Sequence, residues 1–133
     1  MRGAAASLLL VLLAGCASTP APEARWLPPL GANPVFDATP GAAPRQRLMV
    51  RDLRLPPDAV GATHYHPWEE YLYVIEGSAV LEMAGQERRT LLPGESFVIP
   101  ARQVHTPIAG PEGVRAIVTR VHDADDPERV EVE

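Results

Sequence analysis

The stretch that decides the fold is HYHPWEEYLYVIEG, residues 64–77. It opens with two histidines separated by one residue and continues, beyond a proline, into a run of aromatic and β-branched residues that ends at a glycine. Such a run, bounded by turn-forming residues, is typical of a β-strand. Side chains two apart on a strand project to the same face, about 7 Å from each other, so His64 and His66 can bind one ion.

Glu70 can join these histidines only if the chain turns after them. On a straight strand Glu70 would lie about 13 Å beyond His66, which is too far for a shared metal ion. Pro67 interrupts such a strand because it has no amide hydrogen to donate. We therefore expect a turn at Pro67–Trp68 that returns a carboxylate to the histidines, with Glu70 as the ligand and Glu69 as its alternative.

A third histidine, His105, follows a β-forming run that ends at Ile99–Pro100. Three neutral imidazoles and one carboxylate form a mixed nitrogen and oxygen donor set that suits Mn, Fe, Co, Ni, Cu or Zn. We predict one divalent transition metal ion of this group, with two positions open on an octahedral ion. The predicted ligands are His64, His66, Glu70 and His105. Cys16 is the only cysteine, so a zinc site built from several cysteines is excluded, and the acylation of Cys16 that is predicted below would leave no thiolate nucleophile.

Turn residues divide the chain after Arg45 into short runs of β-forming residues. The predicted strands are 47–55, 63–66, 71–75, 79–83, 89–92, 96–99 and 114–121. Strands of this length and spacing indicate an antiparallel sandwich or barrel, and nothing after the N-terminal apolar segment predicts a helix. Because the domain is small for one core, we expect a homodimer formed through an apolar sheet face.

Other side chains in these runs carry weaker expectations. Tyr71 and Tyr73 share the face opposite their apolar neighbours, which predicts an interface or surface position. We expect His122, which belongs to neither histidine pattern, on the surface. The candidates for the core or for an apolar lining of the site are Leu72, Val74, Met83, Phe97 and Ile99.

Two motifs resemble those of the cupin superfamily, whose fold is a double-stranded β-barrel of the jelly-roll type. The first motif has His-x-His, three or four residues, Glu, six residues and Gly, and the second has Gly, five residues, Pro and then His. The matching residues are His64, His66, Glu70 and Gly77 for the first motif, and Gly94, Pro100 and His105 for the second. The resemblance covers about residues 48–121 and implies a single all-β domain with a metal bound by the histidines and the glutamate. Its spacing to Gly77 favours Glu70 over Glu69.

Three positions depart from the pattern of that superfamily. Asp58 and Arg102 occupy positions where it has glycine, although Gly61 lies near the first of them, and Ala109 stands where it has asparagine. These positions shape turns and do not bind metal. Arg102 either alters the loop or places a guanidinium near the mouth of the barrel.

Residues 1–15 are predicted to be a lipoprotein signal peptide. Arg2 precedes an apolar run whose ten residues would rise only about 15 Å as a helix, half the thickness of a hydrocarbon core. The sequence Leu13-Ala14-Gly15-Cys16 resembles the lipobox of bacterial lipoproteins, which implies acylation of Cys16 and stable attachment to a membrane. Because Ala17 follows the cysteine, the resemblance implies the outer membrane, with the protein facing the periplasm.

The rest of the chain divides into three parts. Residues 16–44 are rich in proline and alanine and predict a tether. The barrel is assigned to residues 45–122 and an acidic tail to residues 123–133. The tether also contains four large apolar residues, Trp26, Leu27, Val35 and Phe36. Three interpretations of them stay open: they dock on the barrel, they add an edge strand to a neighbour, or they are incidental residues of a mobile linker.

Charge and motifs limit the function. With a net charge of −5, no lysine and scattered arginines, the chain does not suit nucleic acid. The resemblance implies a metal-dependent enzyme, dioxygenase-like, that acts on a small organic substrate. A non-catalytic module that binds or senses a small molecule or a metal is the alternative. The fold does not select between them, and no further acid, base or nucleophile forms a recognisable set, so catalytic residues stay open.

Overall fold

A computed structural model of the protein describes residues 26–132, so the predicted signal peptide and the acylation predicted at Cys16 lie outside the described residues. Eight strands form one antiparallel sheet that folds over itself. They are β1 Gly31–Ala38, β2 Gln46–Leu55, β3 His64–Tyr65, β4 Glu70–Met83, β5 Arg89–Leu91, β6 Ser96–Ile99, β7 His105–Asp123 and β8 Val130–Glu131. Between residues 26 and 132 there is no helix with the length and hydropathy of a membrane span. The prediction of a single all-β domain is confirmed.

The long strands β4 and β7 form the framework of the barrel. The second half of β7 lies between β2 and the first half of β4, so Arg120 is paired with both Met49 and Glu70. The first half of β7 pairs with the second half of β4, where His105 lies opposite Met83. Since both strands contribute to both ends of the barrel, residues distant in sequence meet at the end that carries the histidines.

Two of the predicted strands merge because Gly77 forms a bulge and not a turn. The runs predicted at 71–75 and 79–83 both lie in β4, with irregular register on each side of Gly77. Gly77 has a φ of 67°, and a Cβ on it would lie 2.0 Å from the carbonyl oxygen of Gly113. Only glycine allows this close approach of the two long strands. β7 likewise extends well before the predicted run 114–121.

The core is built from side chains that alternate along β4 and β7. Leu72, Val74, Met83 and Ile99 are buried in it, and the partly buried Phe97 packs against it. The core members that were not singled out from the sequence are Ala79, Leu81, Leu91, Ala109, Val114, Ala116 and Val118. Tyr71 and Tyr73 are each 48% exposed, as their position on the outer face of β4 requires.

The sheet begins inside the segment assigned to the tether. β1 pairs with β2 from Gly31 opposite Arg54 to Ala38 opposite Leu48, so residues 31–38 are a sheet strand and not a spacer. The pairing is made by backbone groups, and the register shifts just after Pro34. Trp26, Leu27, Val35 and Phe36 stay exposed. Because these side chains are exposed, β1 lacks the alternating apolar pattern from which a half-buried strand can be predicted.

The C-terminal segment, residues 124–132, folds back beside the histidine strand, although the sequence predicted only an acidic tail there. In β8, Val130 is paired with Tyr65 of β3. The Val132 amide donates to the Thr63 carbonyl at 3.0 Å, and the Trp68 indole donates to Asp126 at 2.8 Å. These contacts hold Glu128 next to the candidate site.

Candidate metal centre

Three histidines converge at one end of the barrel. His64 begins β3 and is paired with His105, the first residue of β7, while His66 follows directly after β3. All three side chains are buried. One ring nitrogen from each lies within 4.8 Å of the others.

The orientation of each imidazole is fixed by a backbone carbonyl at its Nδ1 atom. Because a carbonyl can only accept, each Nδ1 carries a proton, and in the neutral ring Nε2 is then the nitrogen that can bind a metal ion. The Nδ1 atoms of His64, His66 and His105 donate to the carbonyls of Ala62 at 2.7 Å, Glu128 at 2.5 Å and Gln103 at 2.9 Å. Such contacts are typical of metal-binding histidines, whose tautomer must be fixed.

The spacing of the Nε2 atoms matches that of two ligands bound to one metal ion. Nε2 of His64 lies 3.1 Å from Nε2 of His66, a distance at which two unprotonated nitrogens repel each other. Two bonds of about 2.1 Å at a right angle place their ligand atoms about 3.0 Å apart, close to this value. Burial lowers the pKa of His64 and of His105, which favours the neutral, metal-binding form. The donor set therefore fits a divalent transition metal.

Glu70 reaches the site as the predicted turn requires. The chain bends at residues 67–68, and Glu70 Oε2 lies 3.0 Å from Nε2 of His66. Burial alone raises the pKa of Glu70, but the contacts with His66 and Arg120 outweigh it and lower the pKa to about 2. The three histidines each place a donor atom within 4.8 Å of the other two, and Glu70 is not part of this cluster. Its ligation stays a prediction, while Glu69 is exposed.

Arg120 is the site residue that the sequence reasoning missed. Its buried guanidinium donates through Nη1 to Glu70 Oε2 at 2.6 Å and lies 3.2 Å from Nε2 of His66. Through Nη2 it binds the carboxylate of Glu128, whose other oxygen lies 3.8 Å from Nη2 of Arg51. The alternation of inward and outward side chains along β7 could have predicted that Arg120 points into the barrel, since it shares the inward face with Val118.

His122 is buried, so its predicted surface position was wrong. It lies two residues beyond Arg120 and therefore faces inward as well. Its Nδ1 contacts the carbonyl of Asp123 at 2.8 Å, and its Nε2 lies 2.9 Å from Sδ of Met49. His122 is not part of the cluster formed by the other three histidines.

The two residues that replace expected glycines keep a glycine-like backbone. Asp58 has a φ of 57° and Arg102 a φ of 62°, both in the left-handed region that glycine adopts without strain. The Arg102 amide donates to the carbonyl of His66 at 2.8 Å, so this loop supports the site. The Arg102 side chain is exposed and does not line the cavity at the histidines.

A cavity of about 210 Å³ opens at the histidines and can hold a small molecule. Its polar lining includes the three histidines, Glu70 and Glu128. Three arginines also line it, Arg51, Arg120 and Arg129, and its apolar residues include Leu53, Leu55, Pro107 and Val118. A concavity of about 330 Å³ beside Arg54 and Arg115 contains none of these histidines.

A family model described as a cupin domain matches residues 51–120, more than half of the chain. The chain is a member of the cupin family. The resemblance of its two motifs is thereby confirmed, together with the fold that it implied. No curated protein matches the sequence.

Solved structures similar to this cupin include oxalate decarboxylase from Bacillus subtilis, with a TM-score of 0.58 and 21% identity over 66% of this chain and 24% of that one. An uncharacterised protein with a double-stranded β-helix domain from Klebsiella pneumoniae has a TM-score of 0.58 and 20% identity over 80% and 90% of the chains. The polyketide cyclase RemF from Streptomyces resistomycificus has a TM-score of 0.55 and 25% identity over 78% and 80%.

These similarities are evidence for the fold. This cupin spans about a quarter of the length of the oxalate decarboxylase, which is a protein with Mn(II) centres. The histidine cluster, together with the metal centres of such a structural relative, supports a divalent metal in this chain.

Proposed function

We propose that this cupin is a metal-dependent enzyme, dioxygenase-like, that acts on a small organic substrate. The observation that carries the proposal is the convergence of three Nε2 lone pairs, each fixed by a carbonyl at Nδ1, at the wall of a small cavity. A purely structural histidine cluster has no need to expose three lone pairs to one point.

In this proposal the histidines hold the metal and Glu70 supplies a fourth ligand. A divalent ion in such a site polarises a bound carbonyl or enolate oxygen, and a redox-active ion also supports reaction with dioxygen. Arg120 keeps the Glu70 carboxylate ionised and in place, since its guanidinium donates to Oε2. The apolar wall around Leu53 and Val118 receives the body of the substrate and excludes water.

The second candidate function is a non-catalytic module that binds or senses a small molecule or a metal. The observation that favours it is the mutual pairing of the charged groups around the histidines. Glu70 and Glu128 both accept hydrogen bonds from Arg120, so each carboxylate is held in an ion pair and neither is a free general base. A binder needs no such group, whereas an enzyme needs one or relies on the metal alone.

The proposal includes the location and assembly expected from the sequence. We place the protein in the bacterial cell envelope, anchored by acylated Cys16, most simply at the outer membrane facing the periplasm. Tyr71, Tyr73 and Val98 form a partly exposed apolar surface on β4 and β6, which supports the expected homodimer.

The metal content of the protein tests the proposal. We expect the full-length chain, purified from its own cell envelope, to carry a full equivalent of a metal among Mn, Fe, Co, Ni, Cu and Zn by elemental analysis. Among these, the redox-active metals Fe, Mn, Ni and Cu suit the dioxygenase-like activity. Replacing both His64 and His66 with alanine should abolish this content, whereas His122→Gln should retain it because His122 lies outside the cluster.

A full equivalent of metal in the double variant would contradict the assigned site. Oxygen uptake with an enediol or a flavonol, lost together with the metal, is expected of the enzyme. Zinc as the sole native metal, with saturable ligand binding and no product, would instead support the binding module.

A further inference from the structure

We propose that the edge of the Arg120 guanidinium formed by Nε and Nη2 binds the carboxylate of the ligand of this cupin, and that Glu128 competes with the ligand for part of this edge. The inference deepens the proposed function, on which it rests, by naming the chemical class of the substrate as a small carboxylic acid.

The hydrogen bonds of Arg120 leave this edge incomplete. Its Nη1 atom is used by Glu70 and lies beside His66, and Nη2 binds Glu128. Its Nε atom is shielded from solvent and has no hydrogen-bond partner among residues 26–132. A buried N–H group without an acceptor is rare and costly, and such a group at a cavity wall marks a place for a ligand atom.

Two other arginines show how a carboxylate fills the same edge in this protein. Arg115 donates from Nε and Nη2 to the two oxygens of Asp52, at 3.1 and 2.7 Å. Arg47 binds Asp37 in the same way, at 2.5 and 2.8 Å. This paired geometry gives a strong and directional contact between a guanidinium and a carboxylate. At Arg120 only Nη2 has a carboxylate partner, whereas Nε has none.

Glu128 is suited to be displaced. Its side chain is 45% exposed, so the carboxylate can move into solvent while the Glu128 carbonyl keeps its contact with Nδ1 of His66. Because Glu128 also lies 3.8 Å from Nη2 of Arg51, its carboxylate lies between two guanidiniums. A ligand carboxylate that replaced it would gain Nε of Arg120 as a second donor.

The walls of the cavity indicate the rest of the ligand. Leu53, Leu55, Pro107 and Val118 line it beside the arginines, and its volume is about 210 Å³. A compact apolar body with one carboxylate matches this combination better than a sugar or a nucleotide does.

Benzoate and its neutral isostere benzamide are the probes that test the proposal, with binding to the full-length chain in detergent measured by calorimetry. We expect benzoate to bind and benzamide to bind at least ~10-fold more weakly. Glu128→Gln should tighten benzoate binding ~3- to 10-fold because it removes the competing charge, and Arg120→Lys should weaken it ~10-fold because lysine lacks the paired donors. Glu131→Gln, which changes an exposed carboxylate of the C-terminal segment, should leave the affinity unchanged.

Equal binding of the two probes, or no gain with Glu128→Gln, would overturn the inference. If Arg120→Lys does not fold, Arg51→Gln is the second variant, and unchanged benzoate affinity in it would count against the proposed position of the carboxylate.

Measurements with and without metal separate this inference from the proposed function. Benzoate binding that needs the metal and ignores Arg120 would show that the carboxylate binds the ion, which refutes the inference alone. Benzoate binding to a chain that holds no metal even when metal is supplied would support the inference and refute the proposed metal-dependent function.

Discussion

Glu70→Gln is expected to destabilise the metal-free protein by about 3 kcal/mol, while Glu69→Gln changes its stability by less than about 0.5 kcal/mol. The two glutamates are neighbours in the chain, yet only Glu70 is buried and paired. The comparison therefore isolates the buried ion pair from any general effect of losing a negative charge in this part of the protein.

The magnitude follows from what the substitution leaves behind. Removing one partner of a buried ion pair costs about 3–5 kcal/mol, since the remaining charge is left uncompensated in a poorly solvated site. Arg120 keeps its contact with Glu128, which offsets part of this loss and favours the lower end of the range. The pKa of Glu70 is lowered to about 2, so the carboxylate is ionised throughout an assay at neutral pH.

Urea unfolding of the chelator-treated, full-length chain measures the effect. The double variant, which combines Glu70→Gln with Arg120→Gln, lacks both charges. Its free energy of unfolding should therefore fall by about 1–3 kcal/mol less than the sum of the decreases in the two single variants. Equal stability of the Glu69→Gln and Glu70→Gln variants would refute the reasoning, because it would mean that the pair contributes nothing. If the decreases in the two single variants simply add in the double variant, the proposed coupling between Glu70 and Arg120 is refuted.

Two backbone positions give further expectations for the free energy of unfolding. Arg102→Gly should stabilise the protein by about 0.5–1 kcal/mol by removing the strain of its φ of 62°, and Arg102→Ala should not, although both remove the exposed guanidinium; equal effects would exclude backbone strain as the cause. Gly77→Ala should cost about 2–4 kcal/mol, since the new Cβ meets the Gly113 carbonyl, whereas Gly85→Ala, with nothing within 4 Å of its Cβ, should cost only about 1 kcal/mol. A similar loss at both glycines would show that the contact across the strands is unimportant.

Those parts of the fold that rest on local patterns could be predicted from the sequence. β2 and β6 were recognised almost residue for residue, because alternating apolar residues between turn signals mark a half-buried strand. β1 and β8 could not be recognised in this way. They are held largely by backbone pairing to β2 and β3, and their exposed or polar side chains carry no periodic apolar signal.

The same difference separates the residues of the candidate site that could be predicted from the sequence from those that could not. His64, His66 and Glu70 lie close together in sequence, so strand periodicity and one bend were enough to predict that they meet. Arg120 and Glu128 reach the site because β7 crosses the barrel beside β4 and the C-terminal segment folds back over His66. No spacing rule links these positions, and their contacts appear only when the strands are paired.

The charges of the site connect the metal to the proposed ligand. Around the histidines, Glu70 and Glu128 pair with Arg120, and Arg51 lies between Glu128 and Asp37, so the charged groups of the site already pair with one another. A divalent ion would add two positive charges to a buried site, which is unfavourable unless an anion enters with it. Glu128 is already used in these pairs, and Arg120 has an unsatisfied Nε donor. A carboxylate ligand would both offset the ion and satisfy that donor, so metal binding and carboxylate binding are expected to strengthen each other.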